Sequence, residues 1–248
     1  MRVAGLLVDL DGTLYVGDEP VEGAREVIGE LKAGGLELRY VSNTTRRPRR
    51  EVREQMLSLG FEVEEAEIFT PARAAERLIR ARSCFPLVDD SLLGDLGAVD
   101  LDQEHPDYVL VGDLGEEFTY DRLNAAFRCL AEDAELLALQ KNRFWRREDG
   151  LALDAGPFVA ALEYASGKSA TVVGKPEESF FRLALEDMGL EPQEVAMVGD
   201  DAETDVAGGQ AAGLKGILVR TGKYRRGAEG RPDLVLDSVA GLRQALGV

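Results

Sequence analysis

The hydrophobic positions of the chain follow two spacings in turn, and this alternation predicts strands and helices one after the other. Apolar runs of strand length are followed by segments in which apolar residues recur every three or four positions, the spacing of one helix face. The first pair is a run at residues 3–8 and a helix at residues 22–33, which ends at Gly34. Strands that alternate with helices predict a parallel, doubly wound sheet.

The same alternation returns near the C-terminus, with a different unit between the two halves. The outer segments contain predicted strands at 36–41, 67–69, 170–173, 195–198, 216–219 and 234–236, and predicted helices after Pro48, at 177–188, at 202–212 and at the chain end. The middle contains predicted helices at 72–82, 120–131 and 157–165, strands at 108–111 and 135–139, and a loop with a hairpin at 141–153. We therefore predict an α/β fold: a Rossmann-like doubly wound parallel sheet from residues 1–70 and 171–248, with an inserted α/β cap domain at residues 71–170.

Polar side chains follow four of the strands predicted for the outer segments. Asp9, Ser42, Lys175 and Asp200 each come just after an apolar run. In parallel sheets ligands bind at the carboxyl ends of the strands. We therefore expect these side chains to meet at one edge of the sheet.

The most specific motif is Asp-x-Asp-Gly-Thr at residues 9–13. Two carboxylates this close repel each other, so Asp9 and Asp11 both stay ionised only if a cation or strong hydrogen-bond donors lie between them. Gly12 allows a sharp turn because it has no Cβ. The motif therefore predicts a site for a hard metal ion and a phosphate group.

A second acidic group follows the strand predicted at 195–198. Taken alone, Asp200, Asp201 and Asp205 fit either a polar loop that caps the next helix or a metal site. The first acidic motif favours the metal site. The spacing does not fit the alternating carboxylates of an EF-hand loop.

The segment Ser42, Asn43 and Thr44 also permits two interpretations. It could simply cap the following helix, or it could form a phosphate cradle from hydroxyl, amide and backbone N–H groups. Lys175 alone would be read as a surface lysine. Its position between a strand and a proline favours a functional interpretation.

The charge and composition of the chain restrict the kinds of partner that we expect it to bind. The chain of 248 residues carries 46 acidic and 29 basic residues, a net charge of −17. Such a surface repels nucleic acids and anionic membranes, so we expect neither as a partner. The apolar runs are shorter than the roughly 20 residues of a membrane span, and acids interrupt the first run too early for a signal peptide. We expect a cytoplasmic protein.

These motifs, in this order, resemble those of the haloacid dehalogenase-like phosphatases. The insert between Ser42 and Lys175 is similar to that of the subgroup whose α/β cap lies between the second and third motifs. The resemblance covers nearly the whole chain and is strongest to the branch that contains phospholysine phosphohistidine inorganic pyrophosphate phosphatase and hydrolase domain-containing protein two. The segments that resemble this branch most are 108–113, 118–130, 142–164, 173–176 and 216–225.

The resemblance implies a role for each motif residue. Asp9 would be the nucleophile that forms an aspartyl-phosphate, and Asp11 the general acid and base. The cofactor would be Mg²⁺, with ligands from the Asp9 carboxylate, the Asp11 backbone carbonyl and Asp200. The phosphate group would be bound by Ser42, Asn43, Thr44 and Lys175. Residues that support these groups from behind would be Thr13, Asp201 and Asp205.

The implied activity is hydrolysis of small phosphorylated molecules: phosphomonoesters, with phosphoramidates and pyrophosphate as further candidates. The cap would exclude water and choose the leaving group, with residues 140–146 as our candidate segment. A homodimer through the cap is an open expectation. Alternatives are phosphoryl transfer or dehalogenation on the same fold, and a non-catalytic phosphate-binding regulator. Dehalogenation needs no metal, so Asp11 and Asp200 argue against it, and the intact motif set argues against a regulator.

Overall fold

The computed structural model describes residues 1–97, 99–147 and 149–247, and contacts within this part of the chain divide it into two compact units. The first unit comprises Met1–Ser42, Arg49–Phe69 and the chain from Lys175 onward. The second comprises Asn43–Pro48 and Thr70–Gly174. Glu148, inside the predicted hairpin, and Val248, the last residue of the predicted sheet domain, lie outside the described residues.

The elements are numbered in chain order. The strands are β1 (Gly5–Asp9), β2 (Tyr15–Val16), β3 (Glu19–Pro20), β4 (Glu37–Val41), β5 (Ile68–Phe69), β6 (Ser83–Leu87), β7 (Asp100–Leu101), β8 (Tyr108–Val111), β9 (Glu135–Ala138), β10 (Phe144–Arg147), β11 (Gly150–Leu153), β12 (Thr171–Val172), β13 (Val195–Gly199), β14 (Lys215–Val219) and β15 (Leu234–Leu236). The α-helices are α1 (Ala24–Ala33), α2 (Arg49–Ser58), α3 (Pro71–Ile79), α4 (Tyr120–Ala131), α5 (Ala155–Ser166), α6 (Glu178–Met188), α7 (Gly208–Ala211) and α8 (Leu242–Leu246). Short 3₁₀ helices cover Glu65–Glu67, Asp90–Leu96, Gly115–Glu117, Pro192–Glu194 and Val239–Gly241, and a π-helical turn covers Ala202–Ala207.

The sheet of the first unit is parallel, with the strand order β15-β14-β13-β1-β4-β5. Every residue of β1 and β13 is buried. Parallel strands covered on both faces consist of continuous apolar runs, which is why the sequence predicted both correctly. The chain runs outward from β1 in both directions. The strand order therefore reverses beside β1, where sheets of this kind bind their ligands.

The register brings the ends of three strands together. Asp9 lies opposite Val41 of β4, and Val8 lies opposite Val198 of β13. Ser42 and Asp200 therefore leave the sheet at the edge where β1 ends in Asp9. This confirms the sequence-based expectation that these three residues share one edge.

The second unit contains a parallel sheet of order β12-β9-β8-β6-β7 and the antiparallel hairpin β10-β11. Two sequence predictions need correction here. We assigned the strand at 170–173 to the first sheet, but Thr171 pairs with Leu137 of β9 in the second. We also missed β6, because Pro86 lacks a backbone donor and argues against an interior strand.

One further prediction changes in detail. The helix predicted at 202–212 starts as the π-helical turn Ala202–Ala207 and continues only as the short helix α7. The wider turn matters because Asp205 lies on it. Of the helices in the described residues, none is both long and apolar enough to cross a membrane.

Candidate active site

The turn after β1 holds two acids in different environments. Asp9 is buried at the end of the strand, whereas Asp11 is exposed two residues later. Gly12 adopts φ +93°, a conformation that favours glycine, and its N–H donates to the Tyr15 carbonyl at 2.7 Å. Thr13 is fully buried, and its hydroxyl has no hydrogen-bond partner among the residues described.

Lys175 links the two acidic motifs. Its ammonium donates to Oδ1 of Asp9 and, at 2.7 Å, to Oδ1 of Asp205. Only 3% of the Lys175 side chain is exposed. Burial lowers the pKa of Lys175, but the charges of Asp205 and Asp9 more than offset it, so the net pKa lies above the usual value. The lysine therefore stays protonated.

The sequence did not show which residue the Asp205 carboxylate contacts. We predicted that it supports the site from behind, and the structure shows its carboxylate in contact with Lys175. The supporting role stays a prediction. Asp205 fits there because a Cβ on Gly199 would lie only 2.3–2.5 Å from its side chain, so a glycine is required. Asp201 supports the same turn, because its carboxylate accepts from the N–H groups of Glu203 and Thr204 at 3.0 and 2.9 Å.

The two carboxylate oxygens of Asp200 differ in their hydrogen bonds. Oδ2 accepts from the backbone N–H of Lys223 at 2.5 Å. Oδ1 is buried and has no hydrogen-bond partner within the described chain. Burial and the nearby Asp9 raise the pKa of Asp200 despite the bond from Lys223. The loop that contains Lys223 was missed as a site element, although a glycine soon after a strand, Gly222, was a usable signal.

The charges of the cluster are out of balance. Oxygens of Asp9, Asp200 and Asp205 all lie within 4.8 Å of one another, among the residues that the structure describes. Three carboxylates against the single Lys175 ammonium give a formal charge of −2, and burial also raises the pKa of Asp205 against the opposing effect of Lys175. A hard divalent cation with oxygen ligands fits this arrangement, because it would balance the charge and engage the free oxygen of Asp200.

The remaining predicted site residues divide between the two units. Ser42 follows β4 in the first unit, and its N–H donates to the Phe69 carbonyl at 3.2 Å. Asn43 and Thr44 belong to the second unit, where the Thr44 hydroxyl accepts from the Arg47 N–H at 3.3 Å. Phosphate binding by these three residues stays a prediction.

The candidate specificity segment at 140–146 has structural contacts of its own in the second unit. Gln140 is buried and donates to Asp154. Trp145 lies against the guanidinium of Arg46, 4.9 Å from carbon to ring centroid, and Arg46 also pairs with Asp113. Trp145 therefore helps to fix Arg46, whatever else it does.

Comparison with known proteins agrees with this geometry. A family model described as haloacid dehalogenase-like hydrolase matches residues 6–101, and one described as HAD-hydrolase-like matches residues 172–242. The chain is 46% identical over 226 residues to haloacid dehalogenase-like hydrolase domain-containing protein 2 of Bos taurus, which covers 90% of this chain and 86% of that protein. The chain belongs to the haloacid dehalogenase-like hydrolases.

Other matches specify the kind of hydrolase. Phospholysine phosphohistidine inorganic pyrophosphate phosphatase of Danio rerio is 39% identical over 244 residues, covering 95% of this chain and 90% of that protein. The structure of p-nitrophenyl phosphatase from Archaeoglobus fulgidus superposes with a TM-score of 0.89 at 29% identity, covering 99% of this chain and all of that one. The resemblance and the α/β fold with an inserted cap are confirmed, and the chain is a phosphatase of this haloacid dehalogenase-like family.

We expect Gly199→Ala to destabilise the protein, because the added Cβ would collide with the buried Asp205 side chain. Overpacking of this kind costs about 1–3 kcal/mol. Gly29→Ala is the matched control: it lies exposed in α1 with open space around it, and should gain up to about 1 kcal/mol. Urea unfolding of both variants measures the difference, and equal stabilities would contradict the close packing of Asp205.

We expect Lys175→Met to make stability depend on divalent cations, because it leaves three neighbouring buried carboxylates without a counter-charge. In EDTA the loss should reach about 3–5 kcal/mol, the usual cost of removing one partner of a buried ion pair. Excess Mg²⁺ should restore part of it. Arg182→Met, which removes an exposed pair with Glu178, should cost below about 1 kcal/mol with or without Mg²⁺. Thermal unfolding in both buffers tests this, and equal losses in the two variants would contradict it.

Proposed function

We propose that this protein is a Mg²⁺-dependent phosphatase that hydrolyses small phosphorylated molecules through an aspartyl-phosphate on Asp9. The observation that carries the proposal is the ion pair of Lys175 with Asp9 and Asp205, next to the partly free carboxylate of Asp200. A bound cation would offset the excess negative charge of this buried cluster. The same cation would then attract the negatively charged phosphate group.

In the first step, one carboxylate oxygen of Asp9 attacks phosphorus, and the bond between phosphorus and the leaving-group oxygen breaks. Asp11 gives its proton to the departing oxygen. Lys175 fixes the orientation of the Asp9 carboxylate by holding Oδ1. The exposure of Asp11 suits a group that must exchange protons with water.

In the second step, the ionised Asp11 takes a proton from a water molecule, whose oxygen attacks phosphorus. The bond between phosphorus and Asp9 breaks, and inorganic phosphate leaves. Ser42, Asn43, Thr44 and Lys175 would bind the phosphate oxygens, where the charge of the transition state is spread. The metal would be held by Asp9, the Asp11 carbonyl and Asp200, and would neutralise the charge that the carboxylates and phosphate bring together.

Phosphomonoesters are the expected substrates. Phosphoramidates and pyrophosphate are further candidates, because one relative of this chain is a phospholysine phosphohistidine inorganic pyrophosphate phosphatase. The second unit, as a cap, would select the leaving group. We also propose that the protein is cytoplasmic and forms a homodimer through the cap. The net charge of −17 supports a small-molecule partner rather than nucleic acid or an anionic membrane.

We expect Asp9→Asn to lower kcat for p-nitrophenyl phosphate by at least about 10³-fold, because an amide cannot serve as the nucleophile. Asp18→Asn, which changes an exposed carboxylate outside the cluster, should leave kcat unchanged. Acid-quenched wild-type enzyme should carry one phosphoryl group on the peptide that contains Asp9, and the Asp9→Asn variant should carry none. Turnover near the wild-type rate by a folded Asp9→Asn variant would refute the covalent mechanism.

We expect EDTA to abolish phosphate release and Mg²⁺ to restore it. Excess Ca²⁺ should inhibit, because calcium prefers more ligands and looser geometry than magnesium. Phosphate release measured after dialysis against EDTA, with each cation added back, tests this. Full activity without a divalent cation would rule out the metal role, and halide release from a haloacid would then favour dehalogenation.

A further inference from the structure

The loop that follows β14 contacts both acidic motifs of the first unit. A hydrogen bond of 3.0 Å from the Tyr224 N–H to the Thr221 carbonyl closes this loop. The Thr221 hydroxyl donates to the carbonyl of Gly12, and the Lys223 N–H donates to Oδ2 of Asp200. One loop thus reaches the turn after the nucleophile and the acid that follows β13.

Glycines make this close approach possible. A Cβ on Gly222 would lie 2.4 Å from the Cα of Gly12 and 2.1 Å from Oδ2 of Asp200. A Cβ on Gly12 would lie 2.0 Å from the same oxygen and 3.1 Å from the Cα of Gly222. Gly12, Gly222 and Asp200 are therefore in contact without intervening side chains, and a displacement of the loop would displace the other two.

The two hydrogen bonds act on different parts of the site. The bond from Lys223 occupies Oδ2 of Asp200, so Oδ1 is the oxygen left for a cation. The bond from Thr221 holds the carbonyl of the residue next to Asp11. It therefore restrains the turn from which Asp11 projects.

We propose that Thr221 is a positioning residue for Asp11, and that the same loop, through Gly222 and the Lys223 N–H, orients Asp200. This inference rests on the proposed function, because it assigns Asp11 and Asp200 the roles given there. It adds that one loop holds the proton-transfer group and the cation-binding carboxylate in fixed positions relative to each other. A substitution in that loop should then change catalysis or metal binding according to which of the two contacts it removes.

Thr221→Val tests the hydroxyl. We expect kcat for p-nitrophenyl phosphate to fall about 10- to 100-fold, since small displacements of a reacting group cost rates of this order. KM should stay within about twofold. The Mg²⁺ dissociation constant should change less than in Gly222→Ala, because the contacts of Asp200 remain and only the turn with the Asp11 carbonyl is loosened. Thr221→Ser keeps the hydroxyl and should restore kcat to within about threefold of wild type. Thr119→Val is the control for stability: it removes the hydroxyl that caps α4 and should lower Tm with kcat unchanged.

Gly222→Ala tests the contact with Asp200, although its Cβ would also approach the turn at Gly12. We expect the Mg²⁺ dissociation constant, measured by calorimetry without substrate, to rise about 10- to 100-fold, the usual effect of disturbing a group that orients a metal ligand. Gly227→Ala is the matched control, because Gly227 also has positive φ but a Cβ there would meet open space. Gly227→Ala should bind Mg²⁺ as the wild type does. If Gly222→Ala does not fold, Lys223→Pro takes its place, because it removes the N–H that donates to Oδ2 of Asp200. An unchanged Mg²⁺ dissociation constant in the folded variant would overturn the role of the loop toward Asp200.

The outcomes separate this inference from the proposed function. No phosphate release by the wild type would refute the proposed function itself. Wild-type turnover with an unchanged kcat in Thr221→Val would overturn the positioning role alone. So would a loss of kcat that Thr221→Ser does not restore, or an equal loss in Thr119→Val.

Discussion

The ammonium of Lys175, held between Asp9 and Asp205, is the contact on which the rest of the site depends. The lysine and its two partners come from three distant parts of the chain. They can meet only when β1 and β13 are paired in register and the π-helical turn has formed. A buried lysine without these carboxylates, or the carboxylates without the lysine, would be strongly unfavourable. Correct folding of the first unit and assembly of its reactive groups are therefore one event.

The two acids of the first motif differ in environment, and this difference suits two different tasks. Asp9 is buried and bonded to an ammonium, which favours a fixed orientation of its carboxylate. Asp11 is exposed on the far side of a turn. Neighbouring carboxyls in unlike surroundings are a common basis for dividing nucleophile and acid–base work. The contrast arises because β1 ends at Asp9, whereas Asp11 lies in the turn that follows the strand.

Much of this could be predicted from the sequence. Parallel strands buried on both faces consist of apolar runs. The sequence therefore predicted β1 and β13, and with them the acidic residues at their ends. The direct contact of Asp205 with Lys175 could not be predicted, because it depends on the π-helical turn and on space left by Gly199. The sequence also did not show to which sheet β12 belongs, because a strand of two residues is too short to indicate its partner strand. The contacts of the loop after β14 were missed because each of them pairs a side chain with a backbone group, and backbone groups give no signal in the sequence.

The contact between Gly12 and Gly222 has a consequence for anyone who diversifies this protein. Both positions are closed to every side chain, so random libraries that include either codon will consist mainly of damaged clones. Glycines such as Gly17 and Gly35, which face open space, are much less restricted by packing. Directed evolution toward new substrates should therefore leave the Gly12 turn and the loop after β14 fixed. The exposed hairpin residues of the second unit, such as Phe144, are the better place for variation.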